Sequence, residues 1–242
     1  MTTNDAGAIL SSGKALIIGA NGGMGSAVAI ALAQQGVELA LVGRNKAAID
    51  TISSTCNKAG ARTIPLVCDI TQADQIESTV TTAIEQLAGL NYLVNCAGIS
   101  PRDKLHETDL ASSLAILDTN LRAHLYFARH ALPEINQHEG GAVIKIGSVD
   151  HPYSGVNTYL AANRGAEGLA AAMFEDVREF GTKVCTIKPG WVNTALVDSD
   201  GIDSALMIQP DDIAQTVLFV LSLPGTACPT EITILPQRSP YC

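Results

Sequence analysis

Apolar residues along this chain alternate between short β-type runs and longer stretches in which apolar positions recur at helical spacing. The short runs fall at 15–20, 37–42, 62–68, 92–95, 142–146, 183–187 and 231–235, and the helical stretches at 23–35, 45–59, 71–88, 109–131, 157–180 and 210–222. Thr71 is placed to cap the third helix. Pro210 with Asp211 and Asp212 reads as the first turn of the last one. Strands alternating with helices predict stacked βαβ units, and so an α/β domain with a doubly wound parallel sheet of seven strands. No long linker, repeat or low-complexity block divides the chain. One domain is expected over 1–242, with mobile ends at 1–12 and 236–242.

Composition supports this and removes several function classes. With 242 residues, 47% of them hydrophobic, the chain can bury a sizeable core. A net charge of −9 argues against broad attraction to nucleic acid or a membrane surface. Any anionic ligand must then be held by local geometry. The six cysteines, Cys56, Cys68, Cys96, Cys185, Cys228 and Cys242, show no C-x-x-C spacing, so neither a metal site nor a disulfide framework is expected. The first residues lack a basic segment followed by an apolar stretch, and no apolar run approaches the ~18 residues that span a bilayer. The expected setting is the cytoplasm.

Candidate chemistry begins after the first strand, where the chain reads Gly19-Ala-Asn-Gly-Gly23-Met-Gly25 and opens a helix. A strand, a glycine turn and a helix N-terminus are what pyrophosphate binding requires, because glycine lets the backbone approach and the helix end offers unpaired N–H groups. A tight turn without a ligand is the competing explanation. The second strand ends Leu41-Val42-Gly43-Arg44-Asn45, with no acidic residue at 43 or 44 to receive a ribose 2′-hydroxyl. Arg44 offers instead a cationic fork suited to a 2′-phosphate, which favours NADP over NAD.

Together these motifs resemble the short-chain dehydrogenase/reductase family, and the likeness covers nearly the whole chain. Cys68-Asp69-Ile70 looks like the family's aspartate after the third strand, which contacts adenine. Asn95-Cys96-Ala97-Gly98 looks like its Asn-Asn-Ala-Gly motif. Asn120 matches the helix asparagine that anchors the family's proton relay, and Pro189-Gly190 the pair that lies on nicotinamide, with Thr194 placed to bond its carboxamide. The resemblance implies a Rossmann-type fold with three helices on each side of the sheet. It extends the cofactor contacts to Asn21, Met24, Asn45, Ile70, Ala97, Gly98 and Val192.

Family members carry a Ser, a Tyr and a Lys, the last two as Tyr-x-x-x-Lys on one helix. Here Ser148 follows the fifth strand and Tyr159 comes eleven residues later, but the residue four beyond the tyrosine is Asn163. Helical positions i and i+4 share a face, so Asn163 rather than Arg164 takes the lysine's place. None of the seven lysines lies in 105–144 or 146–182. The family lysine holds the nicotinamide ribose and favours tyrosinate; Asn163 can bond the ribose but brings no charge. An ordinary phenol, with pKa ~10, is protonated at neutral pH, which suits carbonyl reduction better than alcohol oxidation.

Around this centre, Asp150, His151, Tyr153, Trp191 and Leu196 are expected to border the substrate pocket. His151 is either a substitute acid or base or part of the wall. Trp191 either covers the ligand or simply packs. The segment 191–209 carries Asp198, Asp200 and Asp203 with no cation, and apolar residues between them, which suits a small, neutral, partly hydrophobic carbonyl or alcohol. Helix 157–180 has small residues around it, and the resemblance implies a homodimer or homotetramer through it. The reading is an NADP-preferring oxidoreductase with Tyr159 as acid and base, Ser148 orienting the substrate oxygen and Asn120 anchoring a water. The alternative is a nucleotide-binding protein whose catalysis is lost or altered.

Overall fold

The computed structural model describes residue 10 and residues 12–100, 104–149, 152–197 and 201–241. Seven strands, β1 (Lys14–Ile18), β2 (Glu38–Gly43), β3 (Thr63–Val67), β4 (Tyr92–Asn95), β5 (Ala142–Ile146), β6 (Lys183–Pro189) and β7 (Glu231–Ile234), form one sheet in the order β3-β2-β1-β4-β5-β6-β7. Every pairing is parallel. The central strands are buried on both faces, which is why their sequences read as continuous apolar runs.

The covering helices are α1 (Gly23–Gln34), α2 (Lys46–Lys58), α3 (Ala73–Leu87), α4 (Leu110–Leu117), α5 (Ala123–Ile135), α6 (Asn157–Val177) and α7 (Pro210–Ser222). Val28, Leu32, Ile49 and Val217 place α1, α2 and α7 in one core, while Ile76, Val80, Phe127 and Met173 place α3, α5 and α6 in the other. The helices thus divide between the two faces of a single doubly wound domain. Strand order reverses between β1 and β4, where Ile18 and Asn95 stand in register at the strands' carboxyl ends. Such a switch point leaves a crevice for a ligand.

Several expectations need correction. Residue 72, not Thr71, caps α3; the Thr71 hydroxyl instead donates to Asp69 Oδ1 at 2.8 Å and fixes the preceding loop. The helix expected over 109–131 is α4 and α5 joined by a π-helical turn, Asp118–Arg122, and it continues to Ile135 with Pro133 inside its last turn. Proline at that place removes one helical hydrogen bond, the one its N–H would have donated to Arg129 O. The carboxy-terminal end, expected to be mobile, is tied down as far as Tyr241: Asp203 N donates to Pro240 O at 2.8 Å, and Tyr241 bridges Ile202. The first turn of α7 is as predicted, with Pro210 leading and Asp212 accepting from Gln209 N at 2.8 Å. Among the described residues, no helix is long and apolar enough to cross a membrane.

Candidate active site

The glycine turn sits at the switch point, and its glycines answer different demands. Gly19 has φ +75°, and a Cβ there would lie 3.0 Å from the Ala97 backbone. At Gly25 a Cβ would stand 2.1 Å from Gly19 O, so only glycine lets α1 close onto the turn. Gly22 caps α1 without a side chain, leaving the first-turn N–H groups to an outside acceptor.

Beyond the turn, a cavity of about 440 Å³ is bordered by Gly19, Asn21, Arg44, Asp69, Ile70 and Ala97. Arg44 is exposed at the end of β2. Asn45 borders the same cavity, but its side chain accepts from Ala48 N at 3.1 Å and caps α2. Asp69 Oδ1 accepts from Thr71 N at 3.0 Å and from the Thr71 hydroxyl. These bonds, helped by the charge of Arg44, hold its carboxyl below the usual range.

A second, narrower cavity of about 80 Å³ continues on the β5 side, with Cys96, Ala97 and Gly98 forming part of both. Tyr159 and Asn163 reach it from α6, Ser148 from the end of β5, and Gly190, Trp191 and Thr194 from the segment after β6. Met24, Pro189, Val192 and Leu196 complete the predicted set there. Asn163 is buried and its Nδ2 donates to Tyr159 O at 3.0 Å, so that amide group is spent on the helix backbone. Arg164 is exposed on the far side of α6, with Nη1 3.7 Å from Glu167. Asn120 lies in the π-helical turn, a conformation common at functional sites. Its Oδ1 accepts from Ile99 N and its Nδ2 donates to Ile99 O, both at 2.9 Å, so its side chain clamps the segment after Gly98.

Four predicted residues lie outside both cavities. Asn95 is fully buried: its Oδ1 accepts from Ala97 N at 3.0 Å and its Nδ2 lies 3.4 Å from His124 Nδ1, so it shapes the turn from behind. Gly23 gives way to Thr194, whose Cγ2 would lie 2.6 Å from a Cβ there, and Gly25 serves the approach of α1. Tyr153 is 49% exposed and away from the cavity wall. Asp150 and His151 lie outside the described residues, as do Asp198 and Asp200.

The residue that sequence reasoning missed is Lys145, in the middle of the buried strand β5. Its Nζ donates to Ala97 O at 2.9 Å, and its side chain borders the narrow cavity together with Tyr159 and Asn163. Burial pulls its pKa down to about 8. On α5, His124 is also fully buried, and burial with the nearby Lys145 charge lowers its pKa to about 3, so the ring is neutral. The signal was present in Ala-Val-Ile-Lys-Ile, since a lone lysine inside an apolar strand seldom lacks a task.

A family model described as short chain dehydrogenase matches residues 13–204, and the chain belongs to that family. It is 26% identical over 230 residues to a protein of Staphylococcus aureus (strain USA300) named as an uncharacterized oxidoreductase, covering 94% of this chain and 99% of that one. A dehydrogenase/reductase from Sinorhizobium meliloti 1021 superposes with a TM-score of 0.85 at 28% identity, covering 95% and 98% of the two chains. A short chain dehydrogenase from Burkholderia cenocepacia J2315, solved in complex with NADP, gives a TM-score of 0.87 at 26% identity, covering 93% and 97%.

Proposed function

We propose that this short chain dehydrogenase is an NADP-preferring oxidoreductase acting on a small, neutral, partly hydrophobic carbonyl or alcohol. The observation that carries the reading is the pair of cavities meeting at Ala97–Gly98, with the glycine turn and Arg44 on one and Tyr159, Ser148 and Asn163 on the other. The residues fit the dinucleotide: Gly19, Asn21 and Gly22 border the wide cavity beside the uncapped N-terminus of α1, and Arg44 suits a 2′-phosphate. The Burkholderia relative, bound to NADP, supports the same choice. A dinucleotide held there would supply the hydride as NADPH in reduction or accept it as NADP+ in oxidation. Ser148 hydrogen-bonds the substrate oxygen, and Tyr159 donates its phenolic proton to that oxygen in reduction and recovers it in oxidation. Asn163 takes the position where the family likeness implies a lysine; it can orient a ribose hydroxyl through Oδ1 but adds no charge to help Tyr159 ionise. Reduction is therefore the favoured direction at neutral pH as far as α6 is concerned. Leu196 and Trp191 give the wall its apolar character. Exposed small residues on α6, Ala161, Gly168, Ala171 and Ala172, suit close contact with a second copy of the chain.

The uncharged Asn163 also supports a second reading, a dinucleotide-binding protein with altered catalysis. Titration with NADPH and NADH, followed by turnover on a panel of aldehydes and ketones, decides between them. NADPH binding with turnover that disappears in Tyr159→Phe upholds the oxidoreductase. NADPH binding without turnover, with activity appearing in Asn163→Lys, upholds the second reading, and no binding of either nucleotide overturns both.

A further inference from the structure

Lys145 occupies a position where a lysine is costly. All five residues of β5 are buried, and Lys145 itself is 2% exposed. Among the described residues no carboxylate pairs with it, and its hydrogen bond there is the one to Ala97 O. An ammonium so placed carries a heavy desolvation penalty and leaves two N–H donors to spare. No carboxylate borders the narrow cavity either, and Lys145 is the one cationic side chain among the described residues that do. A cation kept under these terms calls for a negative partner that arrives or forms in the cavity.

The groups around it leave that part to one residue. In register with Lys145 stand Asn95 on β4 and Thr186 on β6, both neutral. Cys96, just after β4, has its thiol pushed up to about 12 by burial, and His124 on α5 stays neutral. Across the cavity on α6 are Asn163, with no charge, and Tyr159, whose phenol gains a negative charge when it gives up its proton. We infer that Lys145 is a positioning cation: from β5 it supplies the charge that α6 does not offer at Asn163, and so eases the ionisation of Tyr159. This rests on the oxidoreductase reading for the role of Tyr159, and it extends that reading to oxidation. The ammonium predominates below about pH 8. In that range Lys145 offers its charge to a phenolate formed in the same cavity.

The test follows phenolate absorbance in the near ultraviolet as pH rises, with no substrate present. The parent, Lys145→Met and Lys145→Gln are each corrected by subtracting the same protein carrying Tyr159→Phe. The glutamine variant keeps a donor for Ala97 but no charge, which separates a tether from a cation. Both variants are expected to show phenolate onset higher by about one pH unit, equivalent to a tenfold change in the ionisation constant. Adding Asn163→Lys to Lys145→Met is expected to bring the onset back. Alcohol oxidation with NADP should follow, its pH profile moving alkaline in the single variants and returning in the double one. Onset unchanged in Lys145→Met, parent-like onset in Lys145→Gln, or no return with Asn163→Lys overturns the proposal. Absence of carbonyl turnover in the parent overturns the oxidoreductase reading without touching the titration, and turnover with an unmoved titration overturns the Lys145 role alone.

Discussion

On the β2 side of the switch point the crevice is wide, about 440 Å³, and much of its frame is backbone: the glycine turn, the open end of α1 and the short loops after β2 and β3. On the β5 side it narrows to about 80 Å³, and its chemistry comes from side chains, several of them buried polar groups: Lys145, Asn120 and Asn163, with His124 and Asn95 behind them. The wide half draws on short clusters of neighbouring residues, 19–22, 43–45, 68–71 and 96–99, with Ala115 and Thr119 added from α4 and the π-helical turn. The narrow half gathers Met24 and residues spread from 96 to 197. The difference teaches that holding the anionic end of a ligand needs a correctly bent backbone, which glycines and a cap can specify locally. Controlling a proton needs a tuned electrostatic environment, which only tertiary contacts supply.

The strongest test of that division is Tyr159→Phe. It should lower kcat for carbonyl reduction about 10²–10⁴-fold, the usual reach of a positioned acid or base, while NADPH affinity stays near the parent value. Fluorescence titration of NADPH beside steady-state turnover reads both. A parallel collapse of affinity would show that the two halves do not act separately.

Next in size is the stability cost of the buried polar groups. The folded-state pKa of Lys145, about 8, lies below its ordinary 10.5, so between those values the unfolded chain binds more protons than the folded one. Stability due to this group rises with pH through that window by about 3 kcal/mol. His124 behaves similarly lower down: its folded value near 3 lies below 6.5, so its contribution falls as pH drops from 6.5 towards 3. The buried Cys56, Cys96 and Cys185 thiols act in the opposite sense at alkaline pH, so urea unfolding is read as parent minus variant, with Lys145→Met removing the alkaline contribution and His124→Gln the acid one. If Lys145→Met leaves the alkaline slope intact, the narrow half does not bear this cost.

Legibility in the sequence divides along the same line. Gly19, Arg44 and Asp69 could be proposed from the sequence because each is marked by local backbone geometry or by a loop position that strand order fixes. The seven strands were readable because central parallel strands are apolar throughout. Lys145 was legible as an oddity in an apolar strand but not as a site residue, because nothing local says which way a strand residue faces or that the Ala97 carbonyl beyond β4 lies within its reach. Asn95 and Asn120 were found by family likeness, yet their tasks are structural in part: one braces the turn and the other clamps Ile99. Tyr153 was misplaced, since the loop before α6 carries no periodicity to orient it.

Arg44→Ala sharpens the comparison from the wide side. Losing charge-assisted bonds to a 2′-phosphate should weaken NADPH binding about 10–100-fold and leave NADH nearly unchanged. The carbonyl turnover number at saturating cofactor should remain close to the parent's. Equal loss for both nucleotides would mean that Arg44 acts on the pyrophosphate or the fold rather than on a 2′-phosphate.

The smallest effect expected comes from the end of the chain. Trp191 borders the narrow cavity, and its Nε1 donates to Tyr241 Oη at 2.8 Å across fifty residues of sequence, with the rings meeting edge to face at 6.2 Å. The same tail holds Ile202 and Asp203. Tyr241→Phe keeps the ring contact and removes one solvent-exposed hydrogen bond, worth about 0.5–1 kcal/mol, so KM for the carbonyl should rise about two- to fivefold while kcat and NADPH affinity hold. The wide half has one bond of similar span, from Arg122 Nη2 to Thr71 O at 2.8 Å, but its cap and its Asp69–Thr71 bonds close within a few residues. If Tyr241→Phe changes NADPH affinity instead of KM, the tail braces the whole crevice and the contrast between local and assembled halves fails at this edge.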